Sequence, residues 1–207
     1  MTTTMEEAAW DPVPTGGEER RPRAGARDVD DRGLVARLRA GEVAAIEELY
    51  VAYRKPIFGF LVRLARDRHA AEDLFQNTWV KISRSVGRLR EDSELKAWVF
   101  TVARNEFRSY RRWQMVDVTR LFLLYRDQRE PERENESGAL LGVEQGLAEL
   151  GASDREVLLL VCAEGMDPRE AAKVLGISHA ALRQRLGRAR TRLKDAIKKL
   201  EDETRQR

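Results

Sequence analysis

Between Pro168 and Leu200 the chain carries a pattern that few folds can satisfy. Glu170-Ala171-Ala172-Lys173-Val174-Leu175-Gly176-Ile177-Ser178 reads as a short helix from Arg169 to Leu175, a tight turn and a capping serine. Pro168 stands where a first helical turn tolerates proline. Gly176 takes the positive φ that the turn wants, Ala172 lets a second helix approach closely, and Ser178 caps that second helix. From about His179 to Leu200, Leu182, Leu186, Ala189, Leu193, Ile197 and Leu200 form one apolar stripe at helical spacing. The remaining faces hold Arg183, Arg185, Arg188, Arg190, Arg192, Lys194, Lys198 and Lys199 against one acid, Asp195. This predicts a helix-turn-helix, whose second helix presents its N-terminal residues to the DNA major groove. Arg183 and Arg188 then reach guanine edges, Gln184 reaches an adenine edge, and the other cations neutralise phosphate. His179 sits where it meets DNA or water. A helical hairpin with a charged outer face is the competing reading; turn chemistry, the small residue and the charge density together favour DNA.

Upstream, the pattern is also helical. Leu34, Val35 and Leu38 share a face after Asp31, and Gly41 stops that helix. Ile46, Leu49, Tyr50, Tyr53, Ile57, Phe60, Leu61 and Leu64 mark a second helix over 44–66, which Pro56 is expected to kink or split. A third helix is expected from His69 to Val86, a loop over 87–93, and a fourth helix from Glu94 to Trp113 with Asp92 or Ser93 as cap. Ser153-Asp154-Arg155-Glu156 reads as a capping box opening an apolar helix to Ala163. No strand alternation, no repeat of 20–50 residues, no P-loop and no GxGxxG occurs. The expectation is an all-α chain of two small helical domains joined by a flexible linker. Residues 1–30 form a mobile tail, 31–113 the first domain, 114–139 the linker and 140–207 the second domain. Within the linker, the apolar Leu121-Phe122-Leu123-Leu124-Tyr125 does not suit a solvated tether and is expected to dock on something.

Composition sets limits. The 207 residues are 42% hydrophobic and 35% charged, a globular but unusually charged chain. Net charge is only +3, but residues 31–113 carry +6, flanked by acidic stretches. A basic block suggests a polyanion partner, although two solvated helical surfaces fit charge alone equally well. One cysteine, Cys162, allows no disulfide within the chain and reads as a small core residue. The two histidines, His69 and His179, have no ligand partners nearby, so no catalytic, metal or cofactor site is expected. No run of about 18 apolar residues and no apolar leader segment occurs, which points to a cytoplasmic protein without membrane insertion.

Two further features carry chemistry. On the helix around 98–113, Trp98, Val99, Phe100, Val102, Ala103, Phe107, Tyr110 and Trp113 fill one half, most of these rings being core. Arg104, Arg108, Arg111 and Arg112 occupy a narrow sector opposite, with Asn105 at its edge. Cations on one stripe repel unless an anion lies along them, and a cationic groove beside rings suits single-stranded nucleic acid. In Ala71-Glu72-Asp73-Leu74-Phe75-Gln76-Asn77, Asp73, Gln76, Asn77 and Val80 share a side that suits a protein partner or water.

The stretches Ala45-Ile46-Glu47-Glu48-Leu49-Tyr50, Ala71 to Gln76, and Ala97-Trp98-Val99-Phe100-Thr101-Val102-Ala103-Arg104-Asn105 resemble, in order, region 2 of the extracytoplasmic-function sigma factors. Leu150 through Leu193, with Asp154-Arg155-Glu156-Val157-Leu158-Leu159-Leu160, resembles their region 4. The resemblance covers about 31–113 and 141–200. It implies a subunit that binds RNA polymerase core through its β′ and β subunits and reads promoter DNA, under the control of an anti-sigma factor. Carried over by position, Asp73, Leu74, Gln76, Asn77 and Val80 would face the polymerase. Arg104, Asn105, Arg108, Arg111 and Arg112 would guide the minus-ten strand, and the loop 85–93 would capture a flipped base. His179, Arg183, Gln184, Arg185 and Arg188 would read the minus-thirty-five element. The chain departs from the family at Asn77, often Glu, and at His179-Ala180-Ala181-Leu182, usually Glu-Gly-Thr-Val. The alternative is a stand-alone helix-turn-helix regulator with an N-terminal sensing or dimerisation domain, which has no need of the arginine stripe on 104–112.

Overall fold

The computed structural model describes residues 31–121 and 138–205, with side chains over 33–114 and 142–203. The tail 1–30 and residues 122–125 of the apolar cluster lie outside the described residues. Among the described residues every element is helical: α1 (Asp31–Arg39), α2 (Val43–Ala65), α3 (Arg68–Ser85), α4 (Leu95–Leu121), α5 (Gly138–Glu149), α6 (Ala152–Leu158), α7 (Pro168–Leu175) and α8 (His179–Arg205). A 3-10 turn (Val86–Arg88) follows α3, and a π-helical turn (Leu159–Ala163) continues α6.

In the N-terminal half, α2 packs on α3 and α4. Gly41 turns the chain between α1 and α2 at φ +78°, the left-handed conformation a helix end favours and a side chain resists. Leu49, Tyr53, Ile57, Phe60, Leu61 and Leu64 all enter the core, Phe60 meeting Phe100 of α4 edge-on at 5.2 Å. That packing explains why α2 runs unbroken through Pro56. The proline forfeits one backbone bond, while buried residues on both sides of it hold the two halves in line. Asp67 caps α3 by accepting from the Ala70 N–H at 3.0 Å. The fourth helix extends eight residues past its expected end, to Leu121.

The C-terminal half is organised by α8. Leu182, Leu186 and Ala189 are buried as the stripe requires, while Leu193, Ile197 and Leu200 are half-buried. Helix α5 runs so close that a Cβ added at Gly146 would meet Ile197 Cγ1 at 2.8 Å. The helix-turn-helix forms as its residues dictate. Asp167 caps α7 with Pro168 in the first turn, Gly176 takes φ +63°, and Ser178 accepts from the Ala181 N–H at 3.1 Å.

Two local expectations are corrected. The capping box does not form: α6 begins at Ala152 after Gly151, so Ser153 lies inside the helix, and Glu156 accepts from Arg104 instead. Cys162 is exposed rather than core. The π turn widens the helix at that point, keeping Leu159 and Leu160 inward and carrying Cys162 outward.

The two halves do not hang apart. Helix α4 lies along α7, α2 touches α5 and α6, and the buried apolar side chains of both halves form one cluster.

Candidate nucleic-acid interface

The outer face of α8 meets the helix-turn-helix expectation at its N-terminal end. His179, Arg183, Gln184 and Arg188 are exposed, Arg185 is half-buried, and none forms a hydrogen bond or ion pair among the described residues. Farther along, two cations expected to neutralise phosphate are occupied. Arg192 pairs with Asp154, and Arg190 leans on Cys162 with its Nη2 3.8 Å from Sγ. The exposed or half-buried cations without a partner among the described residues are thus Arg183, Arg185 and Arg188 in the first turns of α8 and Lys194 and Lys198 farther along.

The arginine stripe on α4 is shorter than its sequence suggests. Asn105, Arg108, Arg111 and Arg112 are exposed, and Trp113 beside them is 73% exposed, a ring standing in solvent next to cations. Phe100, Phe107, Val99 and Ala103 are core, with Trp98 and Tyr110 half-buried against it. Burial, then Asp67 and Asp73, raises the Tyr110 phenol, keeping it neutral. Arg104 is the correction. Only 7% exposed, it points at the C-terminal half, where its Nε donates to Glu156 at 3.1 Å and its Nη1 to the Val174 carbonyl at 3.1 Å. In this arrangement it cannot touch DNA.

The loop after α3 is anchored by buried Val86 and Leu89 and exposes Gly87, Arg88, Arg90, Glu91 and Asp92. Arg90 grips Asp92 at 3.0 and 3.3 Å and holds that carboxyl below the usual range, while Arg39 reaches Glu91 at 2.6 Å. On α3, Asp73, Gln76, Asn77 and Val80 are exposed together, as their spacing requires. Leu74 is not with them: it is 4% exposed and belongs to the core, on the inward flank of the helix. Sequence reasoning missed the groove beside this face. Ile46, Tyr50, Val51, Trp79 and Ile82 line about 480 Å³ of apolar space, with Tyr50 edge-on to Trp79 at 4.8 Å. Exposed Val43 and Val51 at helical spacing from Tyr50 and Glu47 were its signal.

The charged seam between the halves was also missed. Arg155, 4% exposed, donates to the Arg63 and Leu64 carbonyls at the end of α2, and to those of Leu147, Ala148 and Leu150 around the end of α5. One guanidinium thus satisfies the orphan carbonyls of two helices at once. Burial, then Arg66 and Arg111, pulls its pKa down to about 10, so it stays charged at neutral pH. Around it, Arg63 pairs with Glu144 at 2.6 Å, Lys173 with Glu94 at 3.0 Å, and Lys96 donates to the Glu164 carbonyl oxygen. The available signal was an Arg-Glu pair heading the most apolar run of the chain.

Among the described residues, no three His, Cys, Asp or Glu side chains cluster to hold a metal, and no helix is long and apolar enough to cross a membrane.

Comparison with known proteins adds to this geometry. Residues 49–115 match the family Sigma-70 region 2, and 140–193 match Sigma-70, region 4. The chain is 32% identical over 155 residues to the ECF RNA polymerase sigma factor SigM of Bacillus subtilis, spanning 72% of this chain and 93% of that one. It is 30% identical over 170 residues to the RNA polymerase sigma factor CarQ of Myxococcus xanthus, spanning 80% and 96%. In three dimensions it is similar to the sigma factor RpoE of Bartonella quintana, solved with the anti-sigma factor NepR, with TM-score 0.68, 28% identity, and 75% and 98% of the two chains covered.

The seam makes stability depend on pH. Burial, opposed by Lys96 and Arg63, raises the Glu164 carboxyl from its ordinary 4.5 to about 7. The folded protein therefore binds a proton that the unfolded chain releases above pH 4.5. That stabilisation is fully present below pH 4.5 and is lost as pH rises through about 7. Urea midpoints between pH 5 and 8 are predicted to fall for the wild type and to flatten for Glu164→Gln; equal slopes would contradict the assignment.

Proposed function

The chain belongs to the extracytoplasmic-function branch of the sigma-70 family and is an RNA polymerase sigma factor; from that premise we propose which surface does which part of the work. The observation that carries the reading is that two exposed basic faces, on α4 and on the start of α8, sit on separate halves of one chain. Residues 31–113 serve as the minus-ten and core-binding domain and 140–207 as the minus-thirty-five domain, with 114–139 between them.

Asp73, Gln76, Asn77 and Val80 meet polymerase core, and Leu74 supports them from within rather than by contact. Asn105, Arg108, Arg111 and Arg112 lie along the non-template strand, with Trp113 as a stacking platform and the loop 85–93 holding a flipped base. His179, Arg183, Gln184, Arg185 and Arg188 read the minus-thirty-five duplex. The role is that of a non-catalytic, cytoplasmic subunit. The resemblance to a sigma factor captured with its anti-sigma factor extends the proposal to control by such an inhibitor here.

The test is run-off transcription with purified core, where promoter-dependent RNA is expected. Arg183→Ala is expected to cost about 1–3 kcal/mol at one position of the minus-thirty-five element; uniform weakening across sequences contradicts a base contact. Arg108→Ala is expected to impair promoter opening and to lower the salt slope of binding by about one unit. Unchanged opening removes the stripe from the account.

A further inference from the structure

We propose that Arg66, Arg111 and Arg155 form a binding site for a small polyphosphorylated anion, of the pyrophosphate or triphosphate class, where the end of α2, the middle of α4 and the start of α6 converge. The site does not depend on the sigma-factor reading above. Its first support is placement. The Arg155 guanidinium lies against the last turn of α2, donating from Nη1 to the Arg63 and Leu64 carbonyls at 3.2 and 2.9 Å. Arg66 closes that same turn, its backbone N–H donating to the Val62 carbonyl. Helix α4 packs on α2, and Arg104 ties it to Glu156, the neighbour of Arg155, at 3.1 Å. Arg111 follows Arg104 by two helical turns, about 10 Å, on nearly the same side of α4. Arg66 and Arg111 are both exposed, and neither guanidinium has a partner among the described residues. Burial, then the charges of Arg66 and Arg111, hold Arg155 below its ordinary value, so three positive charges share one small volume. Carboxylates on the adjoining elements are already engaged: Asp67 caps α3, Glu144 pairs with Arg63, and Glu156 with Arg104.

The second support is the backbone. Among the described residues Arg66 is the one non-glycine residue with a positive φ, at +59°. A helix end in the left-handed conformation is ordinarily given to glycine, because a Cβ there is strained. The chain instead spends that position on an arginine and aims it into a group of cations that repel it. An anion seated among the three guanidiniums offsets both costs. Phosphate is the anion class that suits them, because the planar guanidinium fork matches two phosphate oxygens at once. Arg66 and Arg111 have free forks for two linked phosphates, while Arg155, committed to carbonyls, contributes charge. Cations drawn from three helices make a compact cluster rather than a line, which fits a short anion better than a nucleic-acid strand. Because Arg111 also belongs to the basic stripe of α4, an anion bound here withdraws one cation from that stripe.

The test is titration calorimetry of the full-length protein with inorganic tripolyphosphate at fixed ionic strength. One saturable site is expected, with a melting temperature that rises as the anion is added. Arg66→Gly removes the guanidinium and relieves the left-handed strain, so loss of binding cannot be put down to misfolding. This variant is expected to melt at or above the wild type without the anion, and to bind tripolyphosphate on the order of ten-fold more weakly. Arg111→Ala is expected to weaken binding similarly. Arg54→Ala, which removes another exposed cation of α2, is expected to bind as the wild type does. A short single-stranded oligonucleotide is the second probe. Absence of saturable binding, an Arg66→Gly variant that keeps wild-type affinity, or an Arg54→Ala variant weakened as much as Arg66→Gly overturns the site. Loss confined to the oligonucleotide assigns Arg66 to the stripe of α4 and overturns it as well. None of these outcomes bears on core binding or promoter-dependent RNA, so the sigma-factor reading stands or falls separately.

Discussion

The arrangement of this molecule depends on how Arg104 and Arg155 are satisfied. Two guanidiniums buried between helical domains would be prohibitively costly without partners, and each has them. Arg155 faces carbonyls at the ends of α2 and α5, and Arg104 faces Glu156 and the Val174 carbonyl. Because partners come from both halves, the position of one half dictates that of the other. Shifting either by a fraction of a hydrogen-bond length would strand charge out of water, so the docked geometry is specified more sharply than apolar contact alone would specify it.

Specificity of this kind does not imply great strength. A buried ion pair recovers in Coulomb energy roughly what desolvation takes away. The exposed pairs at the rim contribute about 0–1 kcal/mol each. A seam of such contacts defines the docked geometry, and it borders buried apolar side chains of both halves that form one cluster.

The range of each interaction decided whether it was legible in the sequence. Gly176, Ser178, Pro168 and the stripe from Leu182 to Ala189 act within a few residues, and their positions in the fold match their spacing. The exposed faces on α3, α4 and α8 were legible for the same reason. Arg104 looked like one more member of a cationic stripe because its partners lie 52 and 70 residues away. Ser153 to Glu156 read as a capping box because nothing local announces that α4 will claim Glu156 and α2 will claim Arg155. Leu74 shares a short motif with Asp73 but not its side of the helix. Pro56 failed to break α2 because packing on both sides overrides a local preference, and one π turn moved Cys162 off the face its neighbours keep.

Fluorophores attached at Arg54→Cys on α2 and Thr191→Cys on α8, both exposed positions, in a Cys162→Ser background report the separation of the halves directly. High energy transfer is predicted for the free protein, and near-complete loss of transfer once core and a promoter carrying both elements are added. Transfer that is equally high in the promoter complex, or already absent in the free chain, would contradict the account.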